Sequence, residues 1–221
     1  MNNLFDKVYC VSLPESQDRW NKFIVEYKNA TGSNDVTKMW AIPPAPEIIK
    51  DNADLVLFNY PARTMIGCTL SHIKVLSDAL FHGYESILVL EDDAFLLPES
   101  VETVAAALKE IPNDWGILYL GGHPTGPLIK VTERIAKPTS LFWSSWGYAI
   151  RRDAMHKVIH KCLDMISHTS YDGILGKQAE AIQRYVMCPP VLSVHAGHST
   201  ITNSESDLAE LAKPDWVKFS P

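Results

Sequence analysis

The chain has 221 residues, of which 46% are hydrophobic and 21% charged, with a formal net charge of −6. That balance excludes intrinsic disorder as the main state, and the length allows one large domain or two small ones with a core that needs no staples. The acidic excess argues against a general nucleic-acid binder, which carries a basic footprint.

Val8 to Leu13 reads as a buried strand rich in β-branched and aromatic residues, and Pro14 ends it. Ser16 is the predicted N-cap of a helix with Trp20, Phe23, Ile24 and Tyr27 on one face and Gly32 as its stop. Lys38 to Ile42 follows as a second strand, then a break at Pro43, Pro44 and Pro46, and a stretch over 49–62 without a clear period, read as loop. A helix is predicted over 64–82, with Ile66, Leu70, Ile73, Leu76 and Leu80 as its apolar face and Gly83 as its stop. Ser86 to Leu90 lacks polar alternation, the pattern of a strand buried on both faces at the centre of a parallel sheet.

A helix from Pro98 to Glu110 comes next, then a buried strand over Gly116 to Leu120 that Gly121-Gly122 ends. The segment over 124–143 is irregular, with one or two strands. Gly147 to Ile150 reads as a strand, Asp153 as the cap of a helix to about Ile166, and Tyr171 to Ile182 as helical. Two short strands, Tyr185 to Cys188 and Val191 to Val194, flank Pro189-Pro190. The chain from His195 is polar and extended, with about 203–221 as a C-terminal tail. This alternation predicts one α/β domain over 1–221 with a mostly parallel central sheet flanked by helices.

Cys10, Cys68, Cys162 and Cys188 form no CxxC motif and are expected as free thiols in a reducing compartment. Met1 to Lys7 lacks the regions of a signal peptide, and no apolar run approaches the ~18 residues of a membrane helix. The expectation is a cytoplasmic protein, soluble or peripheral at a membrane.

Ligands of such sheets bind at the carboxyl ends of the strands, and Glu91-Asp92-Asp93 follows the most buried strand directly. Three carboxylates there repel one another beside a low-dielectric core. A hard divalent cation, Mn²⁺ or Mg²⁺, offsets that repulsion. Alternation along an extended segment puts Glu91 and Asp93 on one side, the spacing of a D-x-D motif that anchors a metal bridging the diphosphate of a nucleotide-sugar. A structural alternative stands beside this: one carboxylate could cap a helix and another pair with an arginine.

Several segments occur in the order of a known family. Val11-Ser12-Leu13-Pro14 with Asp18-Arg19 resembles its opening strand and turn; Ile66-Gly67-Cys68-Thr69-Leu70-Ser71-His72 resembles its "iGCalSH" signature; Leu88-Val89-Leu90-Glu91-Asp92-Asp93-Ala94 resembles its "ilEDDa" core. Gly147-Tyr148-Ala149-Ile150 with Ala154, and Tyr171-Asp172, match two later segments. Over about residues 8 to 175 the chain resembles glycosyltransferase family 25, the lipooligosaccharide and collagen galactosyltransferases. The resemblance implies a GT-A fold, a Rossmann-like sandwich that binds a nucleotide-sugar, such as a UDP-sugar, and transfers its hexose with inversion. It implies a donor site of Ser12, Leu13, Arg19, Ser71, His72, Glu91 and Asp92, to which Gly122, at the end of another buried strand, is added by position.

Glu91 and Asp93 are the expected metal ligands, with His198 as a third, since several GT-A families use a late histidine. The family pattern there is closer to "Q…S-x-I", of which Ser199-Thr200-Ile201 keeps part. Inverting transfer needs a base within about 3 Å of the acceptor hydroxyl. Asp172 is the first candidate, with a helix N-cap as its alternative role; Asp92 and Asp114 follow. Trp146 and Tyr148, with Trp143, form either a sugar-stacking platform or core, and His195 is a candidate acceptor contact. Arg151, Arg152, His156, Lys157, His160 and Lys161 make one basic helix face over 151–161, either solvated or in contact with phosphate or a membrane surface. The acceptor is expected to be a glycan or a lipid-linked saccharide, with a hydroxymethylated DNA base as the alternative. A nucleotidyltransferase and a non-catalytic nucleotide-sugar or carbohydrate-binding relative are the readings from other classes.

Overall fold

In the computed structural model, residues 1–43, 56–57, 60–143, 145–166, 168–176, 181–195, 197–199 and 204–206 are described. The chain runs β1 (Lys7–Ser12), α1 (Gln17–Thr31), β2 (Thr37–Trp40), β3 (Val56–Leu57), β4 (Tyr60–Pro61), α2 (Ala62–Phe81), β5 (Ser86–Glu91), β6 (Ala94–Leu96) and α3 (Ser100–Glu110). It continues through β7 (Trp115–Tyr119), β8 (His123–Pro124), β9 (Leu128–Lys130), β10 (Ile135–Pro138), β11 (Phe142–Trp143), β12 (Gly147–Arg151), α4 (Arg152–Met165), α5 (Tyr171–Gly176), β13 (Gln183–Met187), β14 (Leu192–Val194), β15 (Gly197–Ser199) and β16 (Ser204–Ser206).

Eight strands form one sheet in the order β2-β1-β5-β12-β7-β13-β10-β9. β1 runs parallel to β2 and β5, and β7 parallel to β13, while β12 and β10 are reversed against their neighbours. Six of the eight strands therefore share a direction, as the α/β alternation predicts. Because each of the central strands is buried on both faces, alternate residues feed two cores. Ile87 and Val89 of β5 pack with Val75 and Ala79 of α2, Met155 and Val158 of α4, and Ile174 of α5. Leu88 and Leu90 pack on the other face with Phe23 and Tyr27 of α1 and Val104 and Ala107 of α3.

Most helix limits follow from local chemistry. α1 ends where Gly32 takes the left-handed conformation, φ 71°, and its N–H closes on the Lys28 carbonyl. Its predicted cap, Ser16, makes no side-chain cap hydrogen bond, and Asp153 lies in the first turn of α4 with Arg151 at the cap position. α3 begins at Ser100, two residues after Pro98, because Glu99 adopts a positive φ of 59°.

The buried face of α2 differs from the expected one. Met65, Thr69, Ser71, His72, Val75, Leu76 and Ala79 are buried, whereas Ile66, Leu70, Ile73 and Leu80 are only half-buried. Polar side chains take the inner face because they have partners there.

α5 ends at Gly176, and Ile182 precedes β13, so the helix expected to Ile182 is shorter; residues 177–180 lie outside the described set. The 124–143 segment holds parts of four short strands where one or two were expected. In the loop expected over 49–62, β3 and β4 form a small antiparallel ladder and α2 already starts at Ala62. The other residues of that loop, and all of the 203–221 tail except β16, lie outside the described residues. No described helix is long and apolar enough to cross a membrane.

Leu88 is fully buried at the centre of the sheet. Leu88→Ala should lower the unfolding free energy by about 2–5 kcal/mol in a denaturant titration, the range for truncating a core leucine.

Candidate functional site

The loops after β1 and β2, the first half of α2 and the end of β5 enclose a cleft of about 170 Å³, lined by Ser12, Leu13, Arg19, Ile42, Cys68, Ser71, His72, Glu91 and Asp92 among others. That is space for roughly ten water molecules, so the cleft suits a polar ligand larger than one ion. It lies at the carboxyl ends of parallel strands, where this architecture leaves a crevice.

The three carboxylates leave β5 in different directions. Glu91 continues the alternation of Ile87 and Val89 and meets α2, where His72 Nε2 lies 3.5 Å from its Oε1. The strand ends at Glu91. Asp92 therefore turns to the opposite face and forms an ion pair with Arg19 of α1, and Asp93 joins it at 2.9 Å from the same guanidinium. The alternation expected to align Glu91 with Asp93 thus stops at the turn, although the two carboxylates remain close enough for the charge of Glu91 to act on Asp93.

Protonation follows these partners. Burial opposes ionisation of Glu91, but the adjacent His72 imidazole, the Ser145 hydroxyl and the charge of Arg19 outweigh it, so its carboxyl sits below the ordinary range. Burial raises Asp92 against the pull of Arg19 and of the Ser12 hydroxyl. Burial and the charge of Glu91 push Asp93 up to about 7. Among the described residues, Arg19 Nε, His72 Nε2, Glu91 Oε1 and Asp93 Oδ1 are buried without a hydrogen-bond partner. The unsatisfied Glu91 oxygen facing the unsatisfied His72 nitrogen, with a second unsatisfied carboxylate oxygen on Asp93 two residues away, offers donors of the kind a divalent cation takes.

Beneath this layer lies a chain of buried hydroxyls. His72 Nδ1 is 3.0 Å from the Tyr148 hydroxyl, which is 2.7 Å from that of Tyr171. The imidazole also stacks on the Tyr171 ring at 4.0 Å and 7°. Ser71 donates to the Gly67 carbonyl at 2.6 Å and accepts the Ile42 N–H at 2.8 Å, which ties the loop after β2 to α2.

Seven of the eight expected donor contacts, Ser12, Leu13, Arg19, Ser71, His72, Glu91 and Asp92, line this cleft. Gly122 follows β7, across the reversed strand β12 from β5, and is not part of the lining. Asp172 sits in the first turn of α5, where its carboxylate accepts the Gly173 N–H at 2.9 Å. Burial raises its pKa against that bond and the Ser170 hydroxyl. Asp114 precedes β7 and bonds Tyr185 at the opposite edge of the sheet from the cleft, a place that does not suit a base.

Of the two roles open to Trp143, Trp146 and Tyr148, platform or core, Tyr148 takes the core one. Tyr148 is fully buried and belongs to the His72 chain. Trp146 gives its carbonyl to the Glu91 N–H at 2.9 Å and sets its ring edge-on to His123. His195 pairs with Glu26 at 2.8 Å and stacks on Phe95, while its N–H binds the Asp93 carbonyl at 2.9 Å. His198 has its backbone in β15, opposite Glu205; its side chain lies outside the described set.

The basic face starts at the far edge, since Arg151 pairs in register with Ser86, at the opposite end of β5 from Glu91. Arg151 and Lys157 are tied to the carbonyls of Asn113 and Ala181. Cys68, Ser145 and Tyr171 were not singled out by sequence reasoning. The four-residue spacing of Cys68 and His72 was the available signal for the first. All four cysteines are free, as expected.

The family described as Glycosyltransferase family 25 (LPS biosynthesis protein) matches residues 5–125, more than half of the chain. No curated protein matches the chain significantly. Among solved structures, the chain is similar to a glycosyltransferase involved in glycosylation of the major capsid of PBCV-1, with 12% identity, 71% of this chain and 65% of that one covered, and a TM-score of 0.41. It is similar to mannose-1-phosphate geranyltransferase from Thermus thermophilus, with 15% identity, 81% and 58% covered and a TM-score of 0.42. It is also similar to a Drosophila beta-1,4-galactosyltransferase 7 mutant in complex with manganese, UDP-Gal and xylobiose, with 12% identity, 94% and 79% covered and a TM-score of 0.44. The chain thus spans less than two thirds of the first two of these structures.

The raised pKa of Asp93 gives a signed expectation. A folded carboxyl that holds its proton more tightly than the unfolded chain stabilises the fold at low pH, and that stability drains as pH rises from about 4 towards 7. Asp93→Asn should therefore raise the melting temperature of the metal-free protein at pH 8 and do so less at pH 5. A lower melting temperature at pH 8 would show that the Arg19 ion pair outweighs the repulsion.

Proposed function

The chain belongs to glycosyltransferase family 25, and from that premise we propose that it is a metal-dependent, inverting hexosyltransferase that uses a nucleotide-sugar, a UDP-sugar in the first instance, and an acceptor hydroxyl on a glycan or lipid-linked saccharide. The observation that carries this reading is the unsatisfied Glu91 oxygen in the cleft that Ser12, Leu13, Arg19, Ser71 and His72 line, with a second unsatisfied carboxylate oxygen on Asp93 two residues on.

In this reading Glu91 and Asp93, with His198, would hold Mn²⁺ or Mg²⁺, which would supply positive charge against the departing diphosphate. Arg19 holds Asp92 and Asp93 in place and adds a fixed positive charge beside the diphosphate. His72, braced by Tyr148 and Tyr171, fixes Glu91. Asp172 takes the proton of the acceptor hydroxyl as it attacks. Its raised pKa suits a base, because a carboxylate of higher proton affinity removes a hydroxyl proton more readily. Asp92, which burial also raises, is the second candidate, but its carboxylate is held by the guanidinium of Arg19.

Thermal melts with UDP and Mn²⁺ test the donor half. A ligand at 100 times its Kd stabilises by about 2.7 kcal/mol, and Asp93→Ala should abolish the metal-dependent part. Unchanged stabilisation in that variant refutes the metal assignment. Asp172→Asn should keep UDP binding and lower transfer by a factor of about 10² to 10⁴, the usual contribution of a general base. Full activity in Asp172→Asn moves the base elsewhere.

A further inference from the structure

Cys68 and His72 stand four residues apart on α2 and so share one face of the helix. At the end of β5 they meet Glu91. The Cys68 sulfur, a His72 ring nitrogen and a Glu91 carboxylate oxygen all lie within 4.8 Å of one another. His72 is only 1% exposed, and its Nε2 and the facing Glu91 Oε1 are both buried without a hydrogen-bond partner. The other ring nitrogen is occupied by the Tyr148 hydroxyl, and the ring plane is fixed by Tyr171. This is how a metal-ligating histidine is usually held: its outer nitrogen is bonded, which sets the tautomer and aims the free lone pair.

We propose that Cys68, His72 and Glu91 form a thiolate–imidazole–carboxylate site for a borderline divalent ion of the zinc class. Sulfur with nitrogen selects such an ion over Mg²⁺ or Mn²⁺, which prefer oxygen. Zinc bonds of about 2.0–2.3 Å put tetrahedral ligands roughly 3.3–3.7 Å apart. The Nε2 to Oε1 separation of 3.5 Å already satisfies this, and small side-chain movements bring in the sulfur. Three protein ligands leave a fourth position open towards the cleft, which all three residues line. On binding, the Cys68 S–H bond breaks, its proton goes to solvent and the sulfur bonds the ion.

Glu91 is common to this set and to the oxygen-rich set with Asp93, so the two ions exclude one another at that carboxylate. That consequence rests on the proposed donor chemistry; the site itself does not.

Co²⁺ titrated into the full chain without nucleotide is the probe. The expected result is a thiolate-to-cobalt charge-transfer band in the near ultraviolet that Zn²⁺ abolishes and that Cys68→Ser lacks. No band in the wild type, or an undiminished band in Cys68→Ser, overturns the proposal. Should Cys68→Ser fail to fold, the wild type still decides. Zn²⁺ must slow alkylation of Cys68, followed by mass spectrometry, and unchanged labelling overturns the site. Asp93→Asn must keep the cobalt band, and its loss there overturns the separate ligand set. A cobalt band together with no UDP response to Mn²⁺ leaves this site standing and refutes the donor reading alone.

Discussion

Like charges at the end of a buried strand have to be compensated, and this fold compensates Glu91, Asp92 and Asp93 from both sides of its sheet. Arg19 reaches in from α1 on one face and His72 from α2 on the other. One guanidinium against three carboxylates leaves an excess of negative charge beside a low-dielectric core. The molecule absorbs part of it through the proton affinity of Asp93, which burial and Glu91 raise to about 7. The remainder is a standing demand for a cation, held open by the sheet and by two helices that are themselves anchored in separate cores.

The inner face of α2 follows from that demand. A helix that only had to cover the sheet would turn its aliphatic stripe inward. Here Thr69, Ser71 and His72 are buried, each with a hydrogen-bond partner: Thr69 on the Met65 carbonyl, Ser71 between Gly67 and Ile42, His72 through Nδ1 on the Tyr148 hydroxyl. Hydrogen bonding offsets the cost of burying them, and the cost is accepted because these contacts aim the imidazole and tie the loop after β2 to the helix.

The same residues mark where reading from sequence succeeds and where it stops. β1, β5, β7 and β12 were legible because a run buried on both faces needs apolar side chains at every position. The end of α1 was legible because Gly32 supplies a left-handed cap. The cleft was legible because an acidic run after a central strand has few structural uses. The facing of α2 was not, since hydrophobic periodicity has no way to score a buried polar residue whose partner is far away in sequence. Nor was the direction of Asp93, which depends on where β5 breaks hydrogen-bonding register rather than on the period of two within it. The choice between platform and core for Tyr148 stayed open from sequence because its hydroxyl partner, Tyr171, is 23 residues away.

The turn that carries the acidic residues is completed from the other end of the chain. β6, which follows Asp93 directly, is paired with β14 at Leu192 to Val194, and the Asp93 carbonyl takes the N–H of His195. About a hundred residues separate the partners. A chain growing from its amino end exposes Glu91, Asp92 and Asp93 with Arg19 already at hand, yet has no backbone to close that turn until Leu192 to His195 have been added. The order of synthesis thus puts the charge pair first and the backbone that closes its turn about a hundred residues later, so that a product truncated before Leu192 carries the motif without that closure.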